Sequence, residues 1–154
     1  MNRSLMTALI GIGTAQFLKI PLEYIHTGKW NWKKIIETGN MPSSHSASCS
    51  ALSTYVAFKK GLGSIDFSIS SLLSLIVMYD AMGIRRQAGE IAMAVNKLET
   101  QIERLSEENP GIYHDIKHKK LNEMLGHLPR EVAGGAVLGV AIGTISYLTE
   151  KRFN

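Results

Sequence analysis

Long apolar segments are the sequence feature that most constrains the fold of this chain. Residues 5–25 form a block of 21 residues, and about 20 apolar residues in a helix cross a hydrocarbon core of about 30 Å. Residues 65–82 and 132–148 are further apolar blocks, and residues 46–58 form a fourth segment rich in serine, alanine and threonine. Because backbone polar groups in lipid have to bond within their own segment, we expect helices. The sequence predicts an all-α integral membrane bundle of about four spanning helices in a single domain, residues 1–154.

The segment 46–58 would make a poor lipid-facing helix, so we place it in the interior of the bundle. Small side chains allow helix backbones to approach closely within a membrane. The last apolar block carries glycines four residues apart, Gly135, Gly139 and Gly143. We expect these glycines to hold the last block tightly against the segment 46–58.

A polar helix is predicted at residues 87–108, between the third and the last apolar blocks. Its apolar residues are spaced four and three apart over about two heptads; they are Ile91, Val95, Leu98, Ile102 and Leu105. Two heptads are too short to establish a coiled coil. The pattern fits equally a helix that lies against its own domain and one that pairs with a second copy, so a homodimer is one expectation.

Composition narrows the classes of partner. The net charge of +4 and the isoelectric point near 9.2 suit either nucleic acid or an anionic membrane surface. Basic and aromatic residues are not interleaved, so we expect the bilayer and not nucleic acid. The single cysteine, Cys49, excludes an intramolecular disulfide and a cysteine-based zinc site. His114 and His118 have helical i,i+4 spacing but no acidic residue placed beside them, so we expect no metal and no cofactor.

Two short runs place a histidine at the start of a predicted helix. Residues 41–45 (MPSSH) end in His45, and residues 126–129 (GHLP) contain His127. Proline is favoured at the first helical position, and the unpaired N–H groups and positive dipole end of a helix bind anions. Glu131 follows His127 at i,i+4 spacing, which taken alone is an ordinary helical pair. Two such helix starts, each with an imidazole beside it, suggest chemistry on a phosphate group.

Charged residues within or beside the apolar blocks are further candidates. Lys19 lies inside the first block, where a lysine either extends to the membrane surface or faces protein as a phosphate ligand; we favour the ligand. Asp80, Arg85 and Arg86 close the third block. They are either an anchor at the membrane interface or groups that converge on the histidines, and an arginine fork pairs bidentately with phosphate oxygens.

The runs around the two histidines resemble the second and third motifs of the phosphatidic acid phosphatase type 2 superfamily, P-S-G-H and S-R-x5-H-x3-D. Almost the whole chain is similar to the divergent branch of that superfamily, which is related to acid phosphatases and vanadium-dependent haloperoxidases. Ser44 stands where the motif has glycine, Glu131 where it has aspartate, and Leu121 where it has arginine.

The first motif of the superfamily, K-x6-R-P, is half present. Lys19 matches its lysine, whereas His26 and Thr27 stand at the arginine and proline positions. Residues 79–86 resemble a signature of the divergent branch, and they would supply the guanidinium that is missing before His127.

The resemblance implies hydrolysis of a lipid phosphate or polyprenyl (pyro)phosphate through a phosphohistidine. It makes His127 the nucleophile, Glu131 the carboxylate that orients it, and His45 the general acid. The implied substrate-binding residues are Lys19, Ser43, Ser44, Asp80, Arg85 and Arg86. A second hypothesis is that the same pocket binds or moves a phospholipid without hydrolysis, because the first and third motifs are incomplete.

Charge counts predict which membrane face holds the site. Four crossings put both histidine runs on one side, and that side carries eleven lysines and arginines: Lys29, Lys33, Lys34, Arg85, Arg86, Lys97, Arg104, Lys117, Lys119, Lys120 and Arg130. The other side carries five, which are Arg3, Lys59, Lys60, Lys151 and Arg152. Since cytoplasmic loops carry the excess of basic residues, we expect a protein of the cell membrane with its site on the cytoplasmic face.

Overall fold

The computed structural model describes residues 2–30, 32, 41–108, 121 and 126–153, without the side chains of His26, Arg85, Ser106, Glu107, Glu108 and Phe153. The described residues form five helices and no strand. Their bounds are α1 Arg3–Thr27, α2 Ser44–Lys60, α3 Ile65–Met82, α4 Ile84–Glu108 and α5 Pro129–Phe153. The prediction of an all-α membrane bundle is confirmed.

Helix α2 lies at the centre of the bundle, where it contacts α1, α3 and α5. Three described segments are long and apolar enough to span a membrane, namely Arg3–Ile25, Ile65–Leu105 and Pro129–Arg152. Helix α2, which is the fourth crossing expected from the sequence, is not among them because its sequence is not apolar enough. Its serines face neighbouring helices instead, and Ser44, Ser46 and Ser50 are buried. The interior position predicted for this segment is confirmed.

Glycines bring the backbones of α5 and α2 into direct contact. A Cβ atom on Gly139 would lie 2.7 Å from the Cβ of Ser50, and one on Gly143 would lie 2.6 Å from the carbonyl oxygen of Ala51. A Cβ on Gly135 would meet the carbonyl oxygen of Ser43. Any larger residue would separate the helices, as the glycine spacing predicts.

Large apolar side chains lie on the outside of the bundle. Phe17, Leu75 and Val137 are more than half exposed, whereas Ala15, Ala47 and Ala51 are fully buried between helices. Large apolar groups on the outside and small residues on the inside are unfavourable for a bundle in water. The same arrangement suits helices that are surrounded by lipid. Together with the three spanning segments, it identifies a membrane protein.

Helix α4 begins at Ile84, earlier than the predicted residue 87, and only Gly83 separates it from α3. Arg85 and Arg86 therefore lie in its first turn. The predicted apolar seam is exposed, with Ile91 at 63% and Leu98 at 57%, while Ala92 and Asn96 form the buried face. Most of the seam is thus exposed in the part of the chain that the structure describes, and pairing with a second copy stays a prediction.

Candidate functional site

The two histidines from distant parts of the sequence meet at one end of the bundle. Their ring centroids are 6.2 Å apart, and the ring planes are inclined by 77° in an edge-to-face arrangement. His45 lies in the first turn of α2 and is exposed, whereas His127 precedes α5 and is 5% exposed. A group that enters from the open side therefore reaches His45 first and His127 at the base of the site.

Backbone geometry fixes the position of His127. Gly126 has a φ of 84°, a left-handed conformation that favours glycine. The N–H of His127 donates to the carbonyl oxygen of Ala81 near the end of α3, at 2.9 Å. Helix α5 then begins at Pro129, at the first helical position predicted from the sequence. His127 is thereby held between the ends of two helices.

The start of α2 is tied to the first turn of α5. The N–H of Ser43 donates to the carbonyl oxygen of Glu131 at 3.0 Å, and the Ser43 side chain accepts from the N–H of Ser46 as the helix cap. The Ser43 amide predicted to hold phosphate is thus already bonded within the protein. Ser44, at 7% exposure, begins the helix and offers the better placed amide of the two.

Glu131 caps its own helix. Its Oε2 atom accepts from the N–H of Leu128 at 3.0 Å, which is the reach of a glutamate at the third helical position back to the cap residue. A carboxylate in the first turn is also stabilised by the positive end of the helix dipole. The second oxygen, Oε1, is the one that the predicted contact with His127 would use, and that contact stays a prediction.

Lys19 is enclosed by protein. It is 3% exposed, so its ammonium group does not extend along the outer surface of α1. Gly11 of the same helix packs against the backbone of Ala47 and Ser48. Lys19 lies two turns farther along α1, about 12 Å by helical rise, in the direction of the end that holds the histidines. Lys19 is therefore a buried lysine in the half of α1 that leads to the histidine end of the bundle.

Asp80 and Arg86 lie at the α3–α4 junction, close in sequence to the residue that holds the His127 amide. Asp80 is half-buried and precedes Ala81, the residue that accepts from the His127 amide. The Nε of Arg86 donates to Glu90 at 3.0 Å within α4, and the Arg86 side chain is 46% exposed. The Arg85 side chain lies outside the described residues. The phosphate-binding roles of these three residues stay predictions.

Asn96 has a positioning role that the sequence did not reveal. Its Nδ2 donates to the carbonyl oxygen of Leu121 at 3.0 Å, and its Oδ1 accepts from the Leu121 N–H at 2.9 Å. The side chain thus satisfies both backbone groups of one residue in the segment that leads to His127. Asn96 is only 5% exposed, and a buried polar side chain requires hydrogen-bond partners. In the sequence, Asn96 resembles a position in the signature of the divergent branch, but that resemblance gives it no role.

The arrangement provides the groups that phosphoryl transfer requires. A buried imidazole and an accessible one adjoin, two helices begin beside them, and α1 carries a buried lysine. Within the described ranges, no three His, Cys, Asp or Glu side chains are grouped so as to hold a metal ion. His114 and His118 lie outside these ranges.

Comparison with known proteins gives two matches. The model of the divergent PAP2 family matches residues 1–142. The uncharacterized membrane protein YuiD of Bacillus subtilis (strain 168) is 42% identical over 144 residues, which cover 92% of this chain and 91% of that protein. No solved structure matches the chain.

Proposed function

The chain belongs to the divergent PAP2 family, and on that premise we propose that it hydrolyses a lipid phosphate or polyprenyl (pyro)phosphate at the membrane surface. The observation that supports the proposal is the approach of the His45 and His127 rings to 6.2 Å. An attacking nitrogen needs to lie about 3–3.5 Å from phosphorus, and an acid about 2.6–3.2 Å from the leaving oxygen. A ring separation of 6.2 Å leaves room for one phosphoryl group between the two imidazoles, which is what these two distances require.

In the first step a ring nitrogen of His127 attacks phosphorus. The bond from phosphorus to the ester oxygen breaks, and His45 donates a proton to the departing alkoxide. In the second step His45 takes a proton from water, the resulting oxygen attacks phosphorus, and the phosphorus–nitrogen bond breaks. The Glu131 carboxylate stabilises the His127 cation that both steps share. Neither step needs a metal or an organic cofactor.

Fixed positive charge stabilises the oxygens of the transferring group. The buried Lys19 supplies one charge, and the N-terminal amide of Ser44 supplies a hydrogen-bond donor at the positive end of α2. Arg85 and Arg86 are close in sequence to Asp80 and Ala81, and an arginine fork would bind two phosphate oxygens at once. For Arg86 this requires the ion pair with Glu90 to open.

Aromatic residues near this end of the bundle favour a lipid substrate. Tyr24 stacks on Trp30 with centroids 4.8 Å apart, and Trp30 stacks on Trp32 at 6.2 Å. Both tryptophans are exposed. Tryptophan and tyrosine concentrate where the bilayer meets water, so the histidines adjoin the depth at which lipid head groups lie.

Phosphate release from defined lipids tests the proposal. Purified protein in lipid nanodiscs is offered phosphatidic acid and polyprenyl diphosphate, and released phosphate is measured. We expect His127→Ala and His45→Ala each to lower the rate at least 100-fold, since both carry out a bond-making or proton-transfer step. Arg152→Gln, a basic residue at the opposite end of the bundle, serves as the control and should keep the wild-type rate.

Trapping of the intermediate gives an independent test. Phosphatidic acid labelled with ³²P in its phosphate should leave label on wild-type protein that is quenched in alkali, and none on His127→Ala. Phosphate release by His127→Ala at the wild-type rate would contradict the mechanism.

A second function, binding of a lipid phosphate without hydrolysis, is favoured by two contacts. Arg86 pairs with Glu90, and one oxygen of Glu131 bonds the Leu128 amide, so both groups already have a partner within the protein. Under this alternative the wild-type protein retains phosphatidic acid but releases no phosphate. The amount of retained lipid falls in Lys19→Gln and is unchanged in His45→Ala and His127→Ala.

The site belongs, in our proposal, on the cytoplasmic face of the cell membrane. The excess of basic residues on the side of the histidines supports this orientation. The apolar seam of α4 lies at the same end and would join two copies into a homodimer.

A further inference from the structure

A groove lies between the first half of α1 and the last half of α5, far from the histidines. It has a volume of about 600 Å³ and is lined by Arg3, Met6, Ile10, Ile142, Ile145, Ser146 and Thr149. Its position follows from the topology, because α1 begins and α5 ends at the side of the bundle opposite the histidines. The hydrogen bond from Arg3 to Thr149, at 3.2 Å, places the two helix ends side by side.

The groove is polar at its mouth and apolar along its length. Arg3, Ser146 and Thr149 lie at the mouth, and Ile10 and Ile142 lie seven residues farther in on each helix. Seven residues of helix correspond to about 10 Å. Ile10 and Ile145 are 48% and 60% exposed, so the apolar part opens toward the surrounding lipid. Such a shape accommodates a molecule with a polar head and the upper part of an acyl chain.

Arg3 is held in place beside the groove by contacts with α5. The Thr149 hydroxyl donates to the Ser146 carbonyl oxygen at 2.9 Å and accepts from one Nη of Arg3. Thr7 adds a hydroxyl contact with Ser146. One nitrogen of the guanidinium is thereby bonded, and Arg3 lines the groove. A guanidinium has further N–H donors, whose planar geometry matches phosphate oxygens.

The charge at this end of the bundle is positive. Among the described residues it carries the basic groups Arg3, Lys59, Lys60, Lys151 and Arg152, against the acidic groups Asp66 and Glu150. Glu150 accepts from Tyr55 at 2.6 Å and from Lys59 at 2.8 Å on α2, and the charge of Arg3 also acts on it, which leaves the basic groups of this end in excess. From this shape and charge we infer that the groove binds one anionic phospholipid, in the leaflet opposite the histidine site.

Native mass spectrometry tests the inference. Wild-type protein is exchanged from mixed micelles that contain phosphatidylglycerol and phosphatidylcholine in equal amounts, and the lipids retained per chain are counted. We expect one phosphatidylglycerol to be retained at least fivefold in preference to phosphatidylcholine. Arg3→Gln should abolish this preference, whereas Arg152→Gln, which removes a charge from the same end but not from the groove, should keep it.

A second pair of variants tests the apolar part. Ile145→Trp fills the groove and should lower the retention of both lipids, while Val137→Trp adds the same ring to an exposed position of α5 outside the groove and should leave it unchanged. Equal loss on Arg3→Gln and Arg152→Gln would show attraction to diffuse surface charge and overturn the proposal. Dimers that disappear on Ile145→Trp would show that a second copy occupies the groove, which also overturns it. Phosphate release is read separately, because none of these residues belongs to the proposed catalytic site.

Discussion

Glu131 caps α5 and has a proposed second role at His127, and a single substitution separates the two. Glu131→Gln keeps a side-chain oxygen that can accept from Leu128, so the helix cap and the stability of the bundle should change little. The amide carries no charge to stabilise the His127 cation, and we expect phosphate release to fall roughly 100-fold or more. Rates of release and thermal unfolding are measured side by side.

Glu131→Ala serves as the comparison. It removes the cap as well as the charge and should lower the free energy of unfolding by about 0.5–2 kcal/mol. If Glu131→Gln released phosphate at the wild-type rate, the carboxylate would act only as a cap.

Asn96 is the next residue whose role can be measured directly. Asn96→Ala removes both hydrogen bonds to Leu121, each worth about 0.5–1.5 kcal/mol net. We expect hydrogen exchange of the Leu121 amide to rise at least tenfold and phosphate release to fall, because the segment before His127 loses its anchor. Asn96→Asp retains the acceptor for the Leu121 N–H and should show a smaller change. Lys97→Ala, an exposed change on the same helix, should alter neither quantity.

At the scale of elements, the contact between α2 and α5 determines where the histidines lie. Gly139→Ala would place a methyl group 2.7 Å from Ser50, so the two helices would have to separate. Overpacking of this kind costs about 1–3 kcal/mol, and the temperature of unfolding in detergent should fall. Gly13→Ala is the matched control, since nothing lies within 4 Å of the added methyl group. Equal unfolding temperatures for the two variants would show that the helices adjust freely.

Much of this arrangement could be predicted from local sequence patterns. The small residues of α2 indicated its interior position, the glycine spacing indicated its contact with α5, and Pro129 marked the start of α5. These features follow from periodicity and from the conformational preference of single residues. The start of α4 was predicted three residues late, because the sequence pattern assigns Arg85 and Arg86 to the end of the third apolar block.

The bonds that orient the site could not be predicted in this way. The amide of Ser43 bonds Glu131, the amide of His127 bonds Ala81, and Asn96 bonds Leu121. Each joins residues that are far apart in the sequence, and no repeat or motif spacing encodes such a pair. The resemblance to a family identified the candidate residues of the site. Which of their polar groups already have a hydrogen-bond partner depends on tertiary packing.

At the scale of the whole molecule, the two ends of the bundle differ in chemistry. One end gathers two imidazoles, a buried lysine and the starts of α2 and α5, and the other gathers a basic surface around the groove. Helices α1 and α3 run toward the histidine end, and α2 and α5 run away from it. The two ends are therefore separated by the length of these helices. A single orientation in the membrane therefore fixes which compartment each end contacts.

The orientation can be measured with single cysteines in a Cys49→Ser background. Trp30→Cys marks the end that holds the histidines, and Leu62→Cys marks the connection between α2 and α3 at the opposite end; both positions are exposed. Because lysines and arginines in short loops are retained in the cytoplasm, and the histidine side carries the larger number, an impermeant maleimide should label Leu62→Cys in intact cells. Trp30→Cys should react only after permeabilisation. The reverse pattern would place the histidines outside, and the proposed enzyme would then act on lipids of the outer leaflet.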